Sequence, residues 1–156
     1  MTTRRDVLTL ACGLVLAGPS FAQLPPNIAA LRKAALDEAM RKVVGDAQVR
    51  RGRVKLDLPP LIDNGNAVPL TVAVESPMTA ADHVRAVHVF TEKNPQPWVI
   101  SARFTPRSGR AWLSTRTRIA DSGVVIAIAQ MSDGGFWSDS LNVVVTLSAC
   151  LEDGLI

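Results

Sequence analysis

From Asn27 to Val44 the apolar side chains recur every three or four positions. Ile28, Leu31, Ala35, Leu36, Ala39, Met40 and Val43 fall on one stripe, with charges between them. That period predicts one amphipathic helix. Asn27, after Pro25-Pro26, can cap its start and Gly45 can end it. Beyond Gly45 the period shifts to two. Val54, Leu56 and Leu58 alternate with Lys55 and Asp57 until Pro59-Pro60 stops the run. Val68, Leu70, Val72 and Val74 alternate in the same way. On the next run Val84, Ala86, His88 and Phe90 are expected on one face and Arg85, Val87 and Val89 on the other. Further runs lie at 98–104, 111–118, 124–130 and 141–147, the last with Leu141, Val143, Val145 and Leu147 inward. The run 124–130 is nearly all apolar, as in a central strand. Between the runs stand turn signals: Asp63-Asn64-Gly65-Asn66, Asn94-Pro95-Gln96-Pro97, residues 106–109, Asp121-Ser122-Gly123 and Ser132-Asp133-Gly134-Gly135. Seven strands so spaced predict an all-β protein: an immunoglobulin-like antiparallel β-sandwich with one N-terminal amphipathic helix.

The residues before the helix follow a different pattern. Arg4-Arg5 precede a short, mostly apolar run from Val7 to Gly18, and Ser20-Phe21-Ala22 places small residues where a signal peptidase reads. Residues 1–22 are therefore expected to be an export signal, and Thr3-Arg4-Arg5-Asp6-Val7-Leu8 fits the twin-arginine type. The expected organisation is signal 1–22, helix region 23–50, sandwich 51–148 and a C-terminal tail 149–156. The expected location is the periplasm. Cys12 does not suit a lipoprotein, since it lies inside the apolar run without a proper lipobox.

Composition removes several function classes. The chain has 156 residues, close to one domain, with 47% hydrophobic and 20% charged residues, which excludes a disordered protein. Lys plus Arg is 17 against 14 for Asp plus Glu, a formal charge of only +3. No basic run exceeds residues 50–55 and no aromatic platform stands beside it, so no nucleic-acid partner is expected. No apolar stretch after the signal approaches the ~20 residues of a membrane span, so no membrane association is expected of the mature chain.

Candidate chemistry narrows to one thiol. With Cys12 removed in the signal, the mature chain keeps Cys150 alone, just past the last strand. A single cysteine in an oxidising compartment is buried and inert, bonded to another chain, or a reactive thiol. His83 and His88 flank one run, and their spacing on a flat strand predicts opposite faces, so they are not expected to chelate one metal. A blue-copper site is disfavoured because neither His nor Met follows Cys150. A thiol enzyme would need Cys150 beside a base such as His88. Trp98, Trp112 and Trp137 are expected to pack on strands or in the core, with one of them free to anchor a partner. No metal or cofactor site is expected.

Several runs then resemble the Y subunit of the Sox thiosulfate-oxidising system. They are Val54-Lys55-Leu56-Asp57-Leu58-Pro59, Asp63-Asn64-Gly65-Asn66 with Val68-Pro69-Leu70, and Glu75-Ser76-Pro77-Met78-Thr79. The resemblance is strongest over residues 87–95 and 104–111, and it continues through 114–120 and 131–134. It implies a sandwich paired with a Z subunit in the periplasm, acting as a carrier and not an enzyme. It implies that Cys150 bears a covalent sulfur adduct presented to a haem-containing sulfur transferase, a sulfate-releasing hydrolase and a sulfur dehydrogenase. Family members set this cysteine in a Gly-Gly-Cys-Gly-Gly arm. Here Ser148, Ala149, Leu151 and Glu152 replace the glycines, and Asp153-Gly154-Leu155-Ile156 follow. Such an arm is bulkier and more acidic, and its carboxylates disfavour a thiolate. The alternative is an interaction module or divergent paralogue whose cysteine forms an interchain disulfide or carries no sulfur.

Overall fold

The computed structural model describes residues 27–147. The expected signal and the expected tail, with Cys12 and Cys150, lie outside the described residues. The chain forms α1 (Asn27–Val44), then β1 (Val49–Arg51), β2 (Val54–Asp57), β3 (Leu61–Ile62), β4 (Val68–Val74), β5 (Val84–Thr91), β6 (Trp98–Arg103), β7 (Ala111–Thr117), β8 (Gly123–Met131) and β9 (Phe136–Val145). A single 3-10 turn, Pro106–Ser108, joins β6 to β7.

Two sheets face each other. The larger runs β1-β9-β8-β5-β6, with β3 also pairing β9; the smaller runs β2-β4-β7. Between them lies the main core. Leu56, Leu70 and Val72 enter it from the small sheet, and Val87, Val89, Ala127 and Met131 from the large one. The alternating apolar residues of β4 all point inward, with the burial pattern that period-two patterning demands. The expected sandwich and single N-terminal helix are thus present.

The outer face of the large sheet carries a second core. Leu36, Phe90, Ile128 and Phe136 pack together, flanked by Met40, Val43 and Ile126. This explains why β8 is apolar on both faces: the small sheet covers one and α1 the other. Only the second half of the helix contributes. Leu31, expected on the apolar stripe, is 62% exposed. Gly45 ends the helix as expected, with φ +59° and its N–H donating to the Arg41 carbonyl at 2.8 Å.

Four details differ from the sequence expectation. β1 and β3 are additional, and both run parallel to β9. At two or three residues they are too short to show a period. β9 begins at Phe136, not Leu141, because its polar stretch Ser138-Asp139-Ser140 is strand backbone. Leu147 is 62% exposed and lies beyond the strand instead of pointing inward. The pairing of β5 with β8 shifts register between Val84 and Ala86. That bulge inverts the alternation, so Val84 joins Val87 and Val89 in the inner core.

Candidate functional site

Two regions hold the residues with chemical potential. The first is the root from which the chain continues toward Cys150. β9 is paired along both edges: β8 on one side, β1 and then β3 on the other. At its end the backbone is tied further. Ser122 Oγ accepts from the Val145 N–H at 2.9 Å. The Thr146 N–H donates to the Ile62 carbonyl at 2.9 Å, and the Gly65 N–H donates to the Leu147 carbonyl at 2.9 Å. Gly65, part of the predicted turn, therefore also anchors the last described residue. Leu61 and Val144, neighbours in register, and Leu147 are all exposed here. They give the root an apolar surface.

The second region is a cleft of about 450 Å³ on the outer face of β5 and β6. His83 and His88 both line it. This overturns the expectation that they occupy opposite faces: the bulge at Arg85 restores them to one side. Arg85, Arg103, Ser101 and Trp98 add to the wall, with Thr105, Gln130 and Phe104 beside them. Register places His88 beside Ser101 and Ala86 beside Arg103. Ser101 Oγ lies 3.2 Å from His88 Nδ1, and the Trp98 ring meets the imidazole edge-on at 5.3 Å. Burial, and secondarily the Arg103 guanidinium, hold the His88 pKa below its ordinary value. His83 Nδ1 donates to the Thr79 carbonyl at 3.1 Å.

The two regions sit at opposite ends of the large sheet. Ile128 pairs with His88 on one side and Ser138 on the other. With ~3.3 Å per strand residue and ~4.8 Å between strands, Val145 lies roughly 25 Å from His88. Cys150 follows Val145 by five residues, a reach of at most ~18 Å, which falls short of that separation. A Cys150–His88 catalytic pair is therefore disfavoured. No cluster of three or more His, Cys, Asp or Glu suited to a metal ion occurs among the described residues.

The tryptophans divide. Trp98 is 39% exposed at the cleft and Trp112 is 45% exposed on β7. Trp137 is half-buried under Arg50, whose guanidinium lies 4.3 Å from the ring centre. Sequence reasoning had no signal for the cleft, because the bulge that assembles it has no mark in a two-residue period.

Comparison with known families decides the relationship. A family profile described as "Sulfur oxidation protein SoxY" matches residues 40–150. The chain belongs to the SoxY family. Among solved structures, the sulfur carrier protein SoxY from Chlorobium limicola f thiosulfatophilum is 26% identical. The match covers 73% of this chain and 98% of that one, with a TM-score of 0.61. A superoxide reductase (neelaredoxin) from Ignicoccus hospitalis is 19% identical, with 60% of this chain and 80% of that one covered and a TM-score of 0.54. A superoxide reductase from Nanoarchaeum equitans is 12% identical, with 62% and 100% covered and a TM-score of 0.52. At these identities the likeness to the reductases is one of fold alone. No curated protein matches the chain. SoxY membership implies a SoxZ partner within a sulfur-oxidation system.

Proposed function

We propose that this chain is a periplasmic sulfur-carrier subunit that holds sulfur intermediates covalently on Cys150. It works as a heterodimer with its Z-type partner and presents the adduct to a haem-containing sulfur transferase, a sulfate-releasing hydrolase and a sulfur dehydrogenase. It is a covalent platform and not itself an enzyme. The observation that carries the reading is the extent of the SoxY match, which runs through the sandwich and ends at Cys150.

The chemistry required of the chain is modest. Joining a cysteine thiolate to the outer sulfur of thiosulfate forms one S–S bond and removes two electrons. The haem-containing transferase would pass those two electrons, one at a time, to an electron acceptor, and the thiol proton passes to solvent. The carrier must supply a reachable thiol and a fixed origin for its arm. The bonds at Val145, Thr146 and Leu147 supply that origin.

Intact-mass spectrometry tests this. The heterodimer is incubated with thiosulfate, the cognate transferase and an electron acceptor. A thiosulfonate adduct on this chain that is absent from Cys150→Ala is expected. An unmodified mass, or an adduct that survives the substitution, refutes the carrier role. A reductant-sensitive dimer on a gel would instead assign Cys150 to an interchain disulfide.

A further inference from the structure

We infer that the β5–β6 cleft is a binding site for a small tetrahedral oxyanion of the sulfate and thiosulfate class. The site goes beyond the carrier reading, since it stands at the far end of the sheet from the arm.

The lining is one-sided in charge. It contributes two guanidiniums and two imidazoles, from Arg85, Arg103, His83 and His88, and no carboxylate. Among the described residues neither arginine is engaged in an ion pair: the only arginine so paired is Arg53, with Asp82. Two free guanidiniums opening on one concave wall repel a metal ion and favour an anion. Ala86, the register partner of Arg103, also lines the cleft. Ser101 adds a hydroxyl, and with that hydroxyl donating to His88 Nδ1, the His88 Nε2–H becomes a further donor.

Shape agrees with charge. Trp98 and Phe104 make an apolar part of the wall, which lowers the local dielectric around the cationic groups. The cleft holds the volume of roughly fifteen liquid waters, taking ~30 Å³ for each. That is more than one tetrahedral anion needs. It admits either a free anion with its water or an anion at the end of a thiol-borne adduct. The shared chemistry is the sulfonate-type head.

The test is calorimetric titration of the full mature chain, in chloride buffer of fixed ionic strength. Three probes are used: sodium sulfate, sodium thiosulfate and a short peptide with an S-sulfonated cysteine. At least one probe is expected to saturate at one site per chain. Arg103→Gln should weaken that binding by about tenfold or more, as expected for loss of a charge-assisted bond. Arg116→Gln, on exposed β7, should leave it unchanged. Saturation by a free anion identifies a soluble ligand; saturation by the peptide alone identifies a protein-borne one. Absence of saturation with all three probes, or equal weakening by both substitutions, overturns the proposal. Amide NMR of the unsubstituted protein gives a second readout, with shifts expected at Ala86, His88, Ser101 and Arg103. Cys150→Ala should bind normally, so failure here is separable from failure of sulfur loading.

Discussion

Removing the carboxylate of Asp139 should loosen the joint between the two sheets. Asp139 sits on β9, in the polar stretch Ser138-Asp139-Ser140. Its Oδ2 accepts the Leu56 N–H from β2 at 2.9 Å, and its Oδ1 accepts the Ser140 N–H at 2.8 Å. β2 is an edge strand of the small sheet, bonded only to β4. The Leu56 amide therefore finds its acceptor in a side chain of the other sheet. Leu56 is 4% exposed, so water cannot readily replace that acceptor. A part-buried hydrogen bond to a charged group contributes about 1.5–3 kcal/mol. Asp139→Ala should thus cost about 2–3 kcal/mol, and Asp139→Asn, which keeps an amide oxygen, about 1 kcal/mol. Urea unfolding followed by tryptophan fluorescence measures both. Hydrogen exchange at the Leu56 amide should quicken in the alanine variant. Stability of Asp139→Ala within ~0.5 kcal/mol of the parent, with no change in exchange, would refute the inter-sheet role.

Two further outcomes test the outer face of the large sheet. Phe90 is fully buried among Leu36, Ile128 and Phe136 and lies 5.9 Å from Trp98, so Phe90→Ala should cost about 3–5 kcal/mol in urea unfolding. A loss below ~1 kcal/mol would mean that α1 is not packed as described. The lowered pKa of His88 means that the unfolded chain takes up its proton first as pH falls. Stability should therefore be unaffected by His88 above its unfolded value near ~6.5 and should decline as pH falls from there through the lower folded value. His88→Gln should flatten that part of the stability–pH profile, and an unchanged slope would exclude the assignment.

How far the sequence foretold this molecule depends on the length of each element. α1, β4, β7 and β8 are long enough for several turns or alternations, and their limits follow the pattern closely, although the first half of the α1 stripe, with Leu31, stays exposed. β1 and β3 are not: their existence depends on β9 offering a free edge, a tertiary condition. Ser138, Asp139 and Ser140 fall before the expected strand 141–147 because β-propensity is judged by apolar alternation. Here side-chain bonds to Leu56 and Arg51 replace apolar burial. The histidine cleft was hidden for a different reason. One extra residue at Arg85 reverses the parity of everything before it, and no residue there announces the change. Cys150, by contrast, is expected by arithmetic, as the one cysteine left if residues 1–22 are an export signal; it lies outside the described residues, and the family match runs to its position.

The flanking of β9 by strands on both edges has a mechanical meaning. A protein that grips the C-terminal segment and pulls along the axis of β9 loads the ladders to β8, β1 and β3 sideways and all together. Unzipping would break those bonds one at a time; this geometry forces many to fail at once. A pull on that end is then borne by the whole sheet rather than by one ladder.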